Sequence, residues 1–584
     1  MGRCRCLPLF GKATFCLISV LFFVVTALTA SLIASNNYNT DPPTNGWILV
    51  GGLQSDSVTF RIRNPSSSSS APQRPQRFDV STSSDQVEAS KVYTGELTGD
   101  NLVESVDVTG LSSETRYYYW TSDQDGNILQ RGQFMTPAPE GSRFNFTIAA
   151  GGCAWTGSKN DIFNHIADED PLLFLHLGDM HYEDINADDV EIRIDAIDKV
   201  LGSPSQANLF GKTSFVVQWD DHDWLGNDSS GYCPVEPEPC QGREAALESY
   251  RVGLPYYDPL PASVTQGNET VSIDASYHAF TIGTVRFIIS DLRSGQSEES
   301  IYTDEQKAWL FSELASASEY DFVVWVTPSP WLGKAKEDES WFGFPDDRSE
   351  LSDYITPTLG GPDGPQNLIA LSADAHMLAF DDGRNTYYGT LAPPSADVLS
   401  FPILMSGPLD RLGSAKGGPF SQGCTTIELE RNNQYSTLDF VFPDDEGGDA
   451  CIDIKSYRIE GSTKKTIIDN RLCGNIFHAT DAVGTGSCDS SYLSTASAAL
   501  VGVSGVLCFA ALVMSCRYFE RCDALATSFI VLISWLLIYI LGIYIPRGAM
   551  DIGNFEIMPV AIICVVYTFT ACVYLWCWNR KSDE

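Results

Sequence analysis

The sequence predicts an α/β domain with a sheet covered on both faces, preceded by an all-β module and followed by three transmembrane helices. Three patterns carry this reading. Over residues 143–410, continuous apolar runs such as FNFTIAAGG and PLLFLHLGD alternate with helical patterns such as DDVEIRIDAIDKVL. Strands apolar on both faces belong to a sheet buried on both sides. Over residues 46–137, the runs SVTFRIR, VESVDV and RYYYWTSD stand between clusters of Ser, Gly, Asp and Asn, as short strands joined by turns do. Residues 493–515, 525–545 and 557–577 are uncharged and apolar, and about 20 such residues in a helix cross a ~30 Å hydrocarbon core.

The N-terminal element, residues 1–35, reads as a signal peptide or membrane anchor. Residues 15–34 carry no charge and follow Arg3, Arg5 and Lys12, while the small residues of TALTAS permit cleavage. With basic flanks inside, the acidic bulk of the chain lies outside the cytosol. Arg517 and Arg521 then fall in an inner loop, as do Arg580 and Lys581 at the end, with Arg547 the one exception. The location expected is therefore the plasma membrane or a secretory organelle, with the large domain extracytoplasmic or lumenal.

Cysteine usage fits that side. Cys233 and Cys240 enclose a Pro-rich loop, and a bridge there would contribute roughly 2.5 kcal/mol. Cys424, Cys451, Cys473 and Cys488 could form two bridges in any of three connectivities. Cys4 and Cys6 are acylation sites or free thiols. Asn145, Asn227 and Asn268 open glycosylation sequons. The net charge of −38, from 75 acidic and 37 basic residues, repels nucleic acid and argues against a nucleic-acid scaffold.

In the 46–137 module, Gly110-Leu111 through Tyr119 and Gly132-Gln133-Phe134 resemble the end of a fibronectin type III-like sandwich, with a tyrosine near the turn. Pro137 to Gly141 reads as a linker into the larger domain, residues 143–478, whose last part, 423–472, reads as further strands. In that domain one strand after another ends in a polar residue able to hold a metal or a phosphate. These are Cys153, Asp179, Asp221 with His222, Asp291 with Arg293, and Asp374 with His376. A lone Asp at such a place is usually a cap or turn former, but sites in open α/β sheets gather where strands end, so five in a row point to a site.

Gly178-Asp179-Met180-His181-Tyr182, Trp219-Asp220-Asp221-His222-Asp223 and Ser372-Ala373-Asp374-Ala375-His376 resemble the motifs of the PhoD-type (alkaline phosphatase D-like) metallophosphatases, of the calcineurin-like and purple acid phosphatase superfamily. The resemblance covers roughly residues 46–410. It implies an α/β metallophosphatase sandwich and a metal-dependent hydrolase of phosphate mono- or diesters that uses a metal-activated hydroxide. The metals implied are Fe3+ with Ca2+, another divalent cation being open at the second site. It casts Asp179 as the bridging carboxylate, Tyr182 and Cys153 as iron ligands, and Asp221, Asp374 and Asn227 as ligands of the second metal. His222 would stand beside the substrate, and His376 would complete or border the site. Arg293 is the expected phosphate clamp, since a guanidinium fork matches phosphate oxygens. Thiolate and phenolate together favour a trivalent, redox-capable metal.

Two motifs depart from the family pattern. Gly152-Cys153-Ala154 stands for Ser-Cys-Gln, and Asp291-Leu292-Arg293 for Asp-Thr-Arg. His165, His176 and His278 read as structural histidines, whereas His181 could be either core or cleft. The competing reading is a non-catalytic surface receptor or adhesion protein that keeps a structural metal site.

Overall fold

The computed structural model describes residues 46–64, 74–99, 101–232, 241–257, 264–266, 269–271, 276–333, 340–390, 398–414, 417–427, 431–443, 448–479 and 489–491. The apolar segments 15–34, 493–515, 525–545 and 557–577 lie outside the described residues, as do Cys4, Cys6, Cys233, Cys240, Cys488 and Asn268. Among the described residues no helix is long and apolar enough to cross a membrane.

The N-terminal module is two small antiparallel sheets. Strands β1 (Trp47–Gly51), β2 (Ser57–Arg63) and β5 (Val103–Thr109) form one in the order β1-β2-β5. Strands β3 (Arg77–Ser81), β4 (Lys91–Glu96), β6 (Arg116–Ser122) and β7 (Ile128–Met135) form the other, in the order β4-β3-β6-β7. Phe60, Phe78, Tyr119 and Phe134 are buried between them, with Phe60 edge-on to the other three rings. The tyrosine near the turn is Tyr117, whose hydroxyl accepts from the Ser112 N–H at 2.8 Å. The module docks firmly on the larger domain: Arg63 pairs with Asp198 at 2.9 Å, both buried, and Trp47 Nε1 donates to the same carboxylate.

The larger domain holds two mixed sheets face to face. The first runs β10 (Ser214–Val217), β9 (Leu173–His176), β8 (Phe146–Gly151), β23 (Gln434–Val441), β24 (Cys451–Glu460), β25 (Thr463–Cys473), with β8, β9 and β10 parallel. The second runs β13 (His278–Ile282), β14 (Val285–Ile289), β15 (Phe322–Val326), β16 (Leu368–Ser372), β19 (Ile403–Met405), β17 (Leu378–Asp381), β21 (Gln422–Ile427), β27 (Asp489–Ser491), with β14, β15, β16 and β19 parallel. Phe440 of β23 joins the sheets, its ring 6.0 Å from Phe322 and 6.3 Å from Phe287.

The continuous apolar runs follow from this layering, because alternate side chains of a strand face opposite ways. Ile148, Ala150, Leu173, Leu175 and Val216 enter the core shared with the second sheet. Ala149, Phe174, Phe215 and Val217 face a second core, closed by Ile162, Ile194, Leu209 and Tyr250 from helices Ile162–Asp168, Val190–Leu201, Pro204–Lys212 and Arg243–Gly253. The disulfide Cys451–Cys473 ties β24 to β25, which answers part of the open connectivity.

Candidate metal centre

The parallel strands of both sheets end on one side, and the loops that follow them are laced together. Cys153, just past β8, donates its N–H to Gly178 O at 2.9 Å, and Ala154 donates to Asp179 O at 3.0 Å, so the loops after β8 and β9 run in contact. Only glycine fits at 152 and 178. A Cβ would lie 2.8 Å from the Ala373 Cβ in the first case and 2.6 Å from the Asp220 Cβ in the second. Asp223 holds the motif loop from below: its Oδ1 accepts from Met180 N at 2.8 Å and His181 N at 3.2 Å, and its Oδ2 from Asp220 N.

Four site residues take left-handed backbone conformations: Cys153 (φ 61°), Asp179 (57°), Asp374 (53°) and His376 (51°). For non-glycine residues this costs about 1–3 kcal/mol each, least for Asp and His, and it persists only where surrounding structure imposes it. Such strain at the ends of neighbouring strands marks a functional site.

Two three-donor groups share one residue. Ligand atoms of Cys153, Asp179 and His376 lie within 4.8 Å of one another, as do those of Asp179, Asp221 and His222. All of these side chains are buried. The Tyr182 hydroxyl adjoins the first group, donating to Asp179 Oδ2 at 2.6 Å and lying 3.2 Å from His376 Nε2. His376 Nδ1 meets the Leu412 carbonyl at 2.9 Å; a carbonyl only accepts, so Nδ1 carries the proton and Nε2 offers the lone pair.

The electrostatics call for cations. Burial, then the charges of Asp221, Asp220 and Asp223, raise the Asp179 carboxyl well above the usual range against the pull of His222. Burial, then Asp179, raises both the Cys153 thiol and the Tyr182 phenol. Among the described residues Asp179 Oδ1 has no hydrogen-bond partner, although it is fully buried. A buried carboxylate oxygen without a donor costs several kcal/mol unless a metal meets it, so the residues present fit metal ions.

His222 stands against this group. Burial alone would push its imidazole down, but Asp221, Asp179 and a 2.6 Å contact from Nδ1 to Asp184 Oδ1 outweigh that and push it up to about 10. Its ring centroid is 4.0 Å from that of Tyr182.

Other expected residues are placed differently. Arg293 is fully buried, its Nε paired with Asp220 Oδ1 at 2.5 Å and its Nη2 3.9 Å from Asp221 Oδ1. Its Nε thus backs Asp220, the residue before Asp221. Asp374 adjoins the site through its backbone N–H, which donates to the Cys153 thiol, and its carboxylate belongs to neither three-donor group. Asn227 is half-buried in the turn after helix Asp221–Trp224.

Asp291 is structural, accepting from Trp219 Nε1, Ser276, Arg293 N and Ser294. His176 and His278 are core residues, as expected; His181 too is buried, and burial pushes it down to about 3. The sequence reading missed Asp184, which an acid two residues past the Gly-Asp motif could have flagged, and Trp155 and Arg411, which belong to no motif. Arg411 lies over the rings of Tyr182 (3.7 Å) and Trp155 (4.5 Å).

A two-sheet sandwich gathering a thiol, a phenol, imidazoles and a shared carboxylate at its strand ends has the make-up of a metallophosphatase. Residues 146–411 match the family described as PhoD-like phosphatase. Over that stretch the chain is similar to PhoD-like phosphatases, and the chain is a hydrolase of phosphoric ester bonds. The fold is similar to a solved structure of PhoD, with a TM-score of 0.56 and 17% identity over 78% of this chain and 96% of that one. A purple acid phosphatase from yellow lupin (Lupinus luteus) seeds matches with a TM-score of 0.44 and 12% identity over 78% of each chain. No curated protein matches the sequence.

Proposed function

We propose that the chain is a membrane-tethered, extracytoplasmic phosphoesterase acting on phosphate mono- or diesters, with iron held by Cys153, Asp179, Tyr182 and His376. A second cation, calcium or another divalent ion, would lie on Asp179 and Asp221, with Asp374 and Asn227 as further donors. The observation that carries this is the place of Asp179 in both three-donor groups, with one carboxylate oxygen otherwise unpartnered. Bound there, the metals supply Lewis-acid polarisation of the phosphoryl oxygens and a water acidified towards pH 7.

The chain's own groups do the rest. His222, held by Asp184, keeps a proton for the departing alkoxide. Asp223 fixes the loop that carries Asp179. Arg293 sets the charge of Asp220 and Asp221. The uncharged apolar segments and their basic flanks support the tether.

The test uses the full chain, its metal content and its hydrolysis of aryl phosphate mono- and diesters, beside Asp179→Asn and Asp221→Ala. Stoichiometric metal, with hydrolysis abolished in both variants, is expected. A folded wild-type chain without metal or activity would sink the proposal. Carbonate extraction of membranes tests the tether, and release of the chain into the soluble fraction would remove it.

A further inference from the structure

An N-linked oligosaccharide is bulky and stays in water, so the amide that carries it must point out of the fold. The chain holds three Asn-x-Ser/Thr sequons, opened by Asn145, Asn227 and Asn268. Asn268 lies outside the described residues, and the other two differ in what surrounds them.

Asn227 is half-buried in the turn that closes on Asp221. The Asp228 N–H donates to Asp221 Oδ2 at 2.6 Å. The sequon hydroxyl, Ser229 Oγ, donates to the Asp221 carbonyl at 3.0 Å and accepts from Leu225 N at 3.1 Å. A sugar on this turn would stand beside a donor of the metal centre.

Asn145 is exposed, one residue before β8. Its side-chain oxygen accepts from the Phe442 N–H at 2.8 Å. Only the oxygen of an amide accepts from an N–H, so Nδ2 is the arm turned away from Phe442. Successive residues of a strand face opposite ways. Phe146 enters the shared core and stacks on Phe440 at 4.7 Å, while Asn145 and Thr147 take the other face. The Thr147 hydroxyl donates to Asp439 Oδ1 at 2.6 Å and leaves the Asn145 amide alone. From there β8 runs six residues, about 20 Å at ~3.3 Å each, before the loop that carries Cys153. A sugar on Asn145 therefore stands at the far end of the strand from the metal centre.

We infer that Asn145 is a modification site, carrying an N-linked oligosaccharide in the folded chain, and that Asn227 carries none. The inference rests on the extracytoplasmic reading, because this sugar is transferred in the lumen of the secretory pathway. It is independent of the phosphoesterase reading.

The experiment expresses the full chain in eukaryotic secretory cells, as wild type and as Asn145→Asp. The aspartate keeps an oxygen for the Phe442 N–H and cannot be glycosylated. Three things are measured: electrophoretic mobility before and after N-glycosidase, the masses of the peptides holding residues 145 and 227, and protection of the domain from protease in sealed vesicles. N-glycosidase turns a sugar-bearing asparagine into aspartate. Wild type is expected to gain mobility and to show that conversion at 145 and not at 227. Asn145→Asp should lose the conversion while kcat and KM on an aryl phosphate stay as in wild type. An unmodified Asn145 in a protected domain would overturn the inference and leave the location standing. An unmodified Asn145 in a domain open to protease would overturn both. Sugar on Asn227 of the active chain would overturn the contrast between the two sites. The wild-type peptide masses decide all of this even where Asn145→Asp folds poorly.

Discussion

Arg293 and Asp220 form an ion pair through Nε and Oδ1 at 2.5 Å, with each side chain only 1% exposed. Removing one partner of such a pair strands the other charge in a low-dielectric interior and costs about 3–5 kcal/mol. Arg293→Met should therefore lower the melting temperature sharply, and adding Asp220→Asn should restore part of the loss by discharging the stranded acid. A phosphate clamp behaves otherwise: its loss leaves the fold intact and raises KM. Thermal melting of the two variants beside their KM separates the roles, and an unchanged melting temperature in Arg293→Met would return Arg293 to the cleft.

Tyr182 tests the iron assignment. Its hydroxyl is 2.6 Å from Asp179 Oδ2 and near His376 Nε2, where a phenolate can join the Cys153 group. Phenolate bound to ferric iron gives visible charge-transfer absorption, so iron-loaded wild type should be coloured and Tyr182→Phe bleached. The substitution keeps the ring on which Arg411 stacks, so the fold and the Asp221 side should stay as they are. Colour that survives in Tyr182→Phe would show that the phenol is no ligand.

The proposed mechanism gives the proton to His222, whose Nδ1 lies 2.6 Å from Asp184 Oδ1. His222→Asn should lower kcat by about 10²–10⁴-fold, the range of general acid–base catalysis. Asp184→Asn should cost less, about ten- to a hundredfold, since it only orients and charges the ring. The pH profile has a definite sign. Asp184 favours the imidazolium, so its removal lowers the His222 pKa and moves the alkaline limb of the rate profile to lower pH. Identical limbs in Asp184→Asn and wild type would sink this role.

The strand ends were legible because each ligand sits where an apolar run stops, a local signal that burial on both faces makes strong. Cys153, Asp179, Asp221 and His376 are brought together accordingly. Burial itself is not local. Arg293 follows a strand as a clamp would, but its burial and its pairing with Asp220 come from elements far apart in sequence. Nor does periodicity say which strands pair, so nothing marked β23 to lie beside β8 or the apolar runs to divide into two sheets. Arg411 was invisible because its position depends on Asp410 and Leu412 reaching two loops far away in sequence. Asp184 meets His222 through a turn in a loop whose course no pattern announces.

Acid stability should depend on two histidines outside the metal site. Burial pushes His176 down to about 3; burial, partly offset by the Ser276 carbonyl, pushes His278 down to about 4. Both are neutral in the folded chain, while the unfolded chain titrates them near the usual histidine value of 6.5. Below that pH the unfolded state binds more protons, so the stability they contribute is whole above pH 6.5 and falls as pH drops towards 3–4. Each can add up to about 1.4 kcal/mol per pH unit to the slope. His176→Phe, set beside the ring of Phe174, cannot take a proton and should remove its share of that slope between pH 4.5 and 6.5. Urea unfolding of both chains across this interval measures the difference, and parallel curves for wild type and variant would show that His176 already titrates normally in the fold.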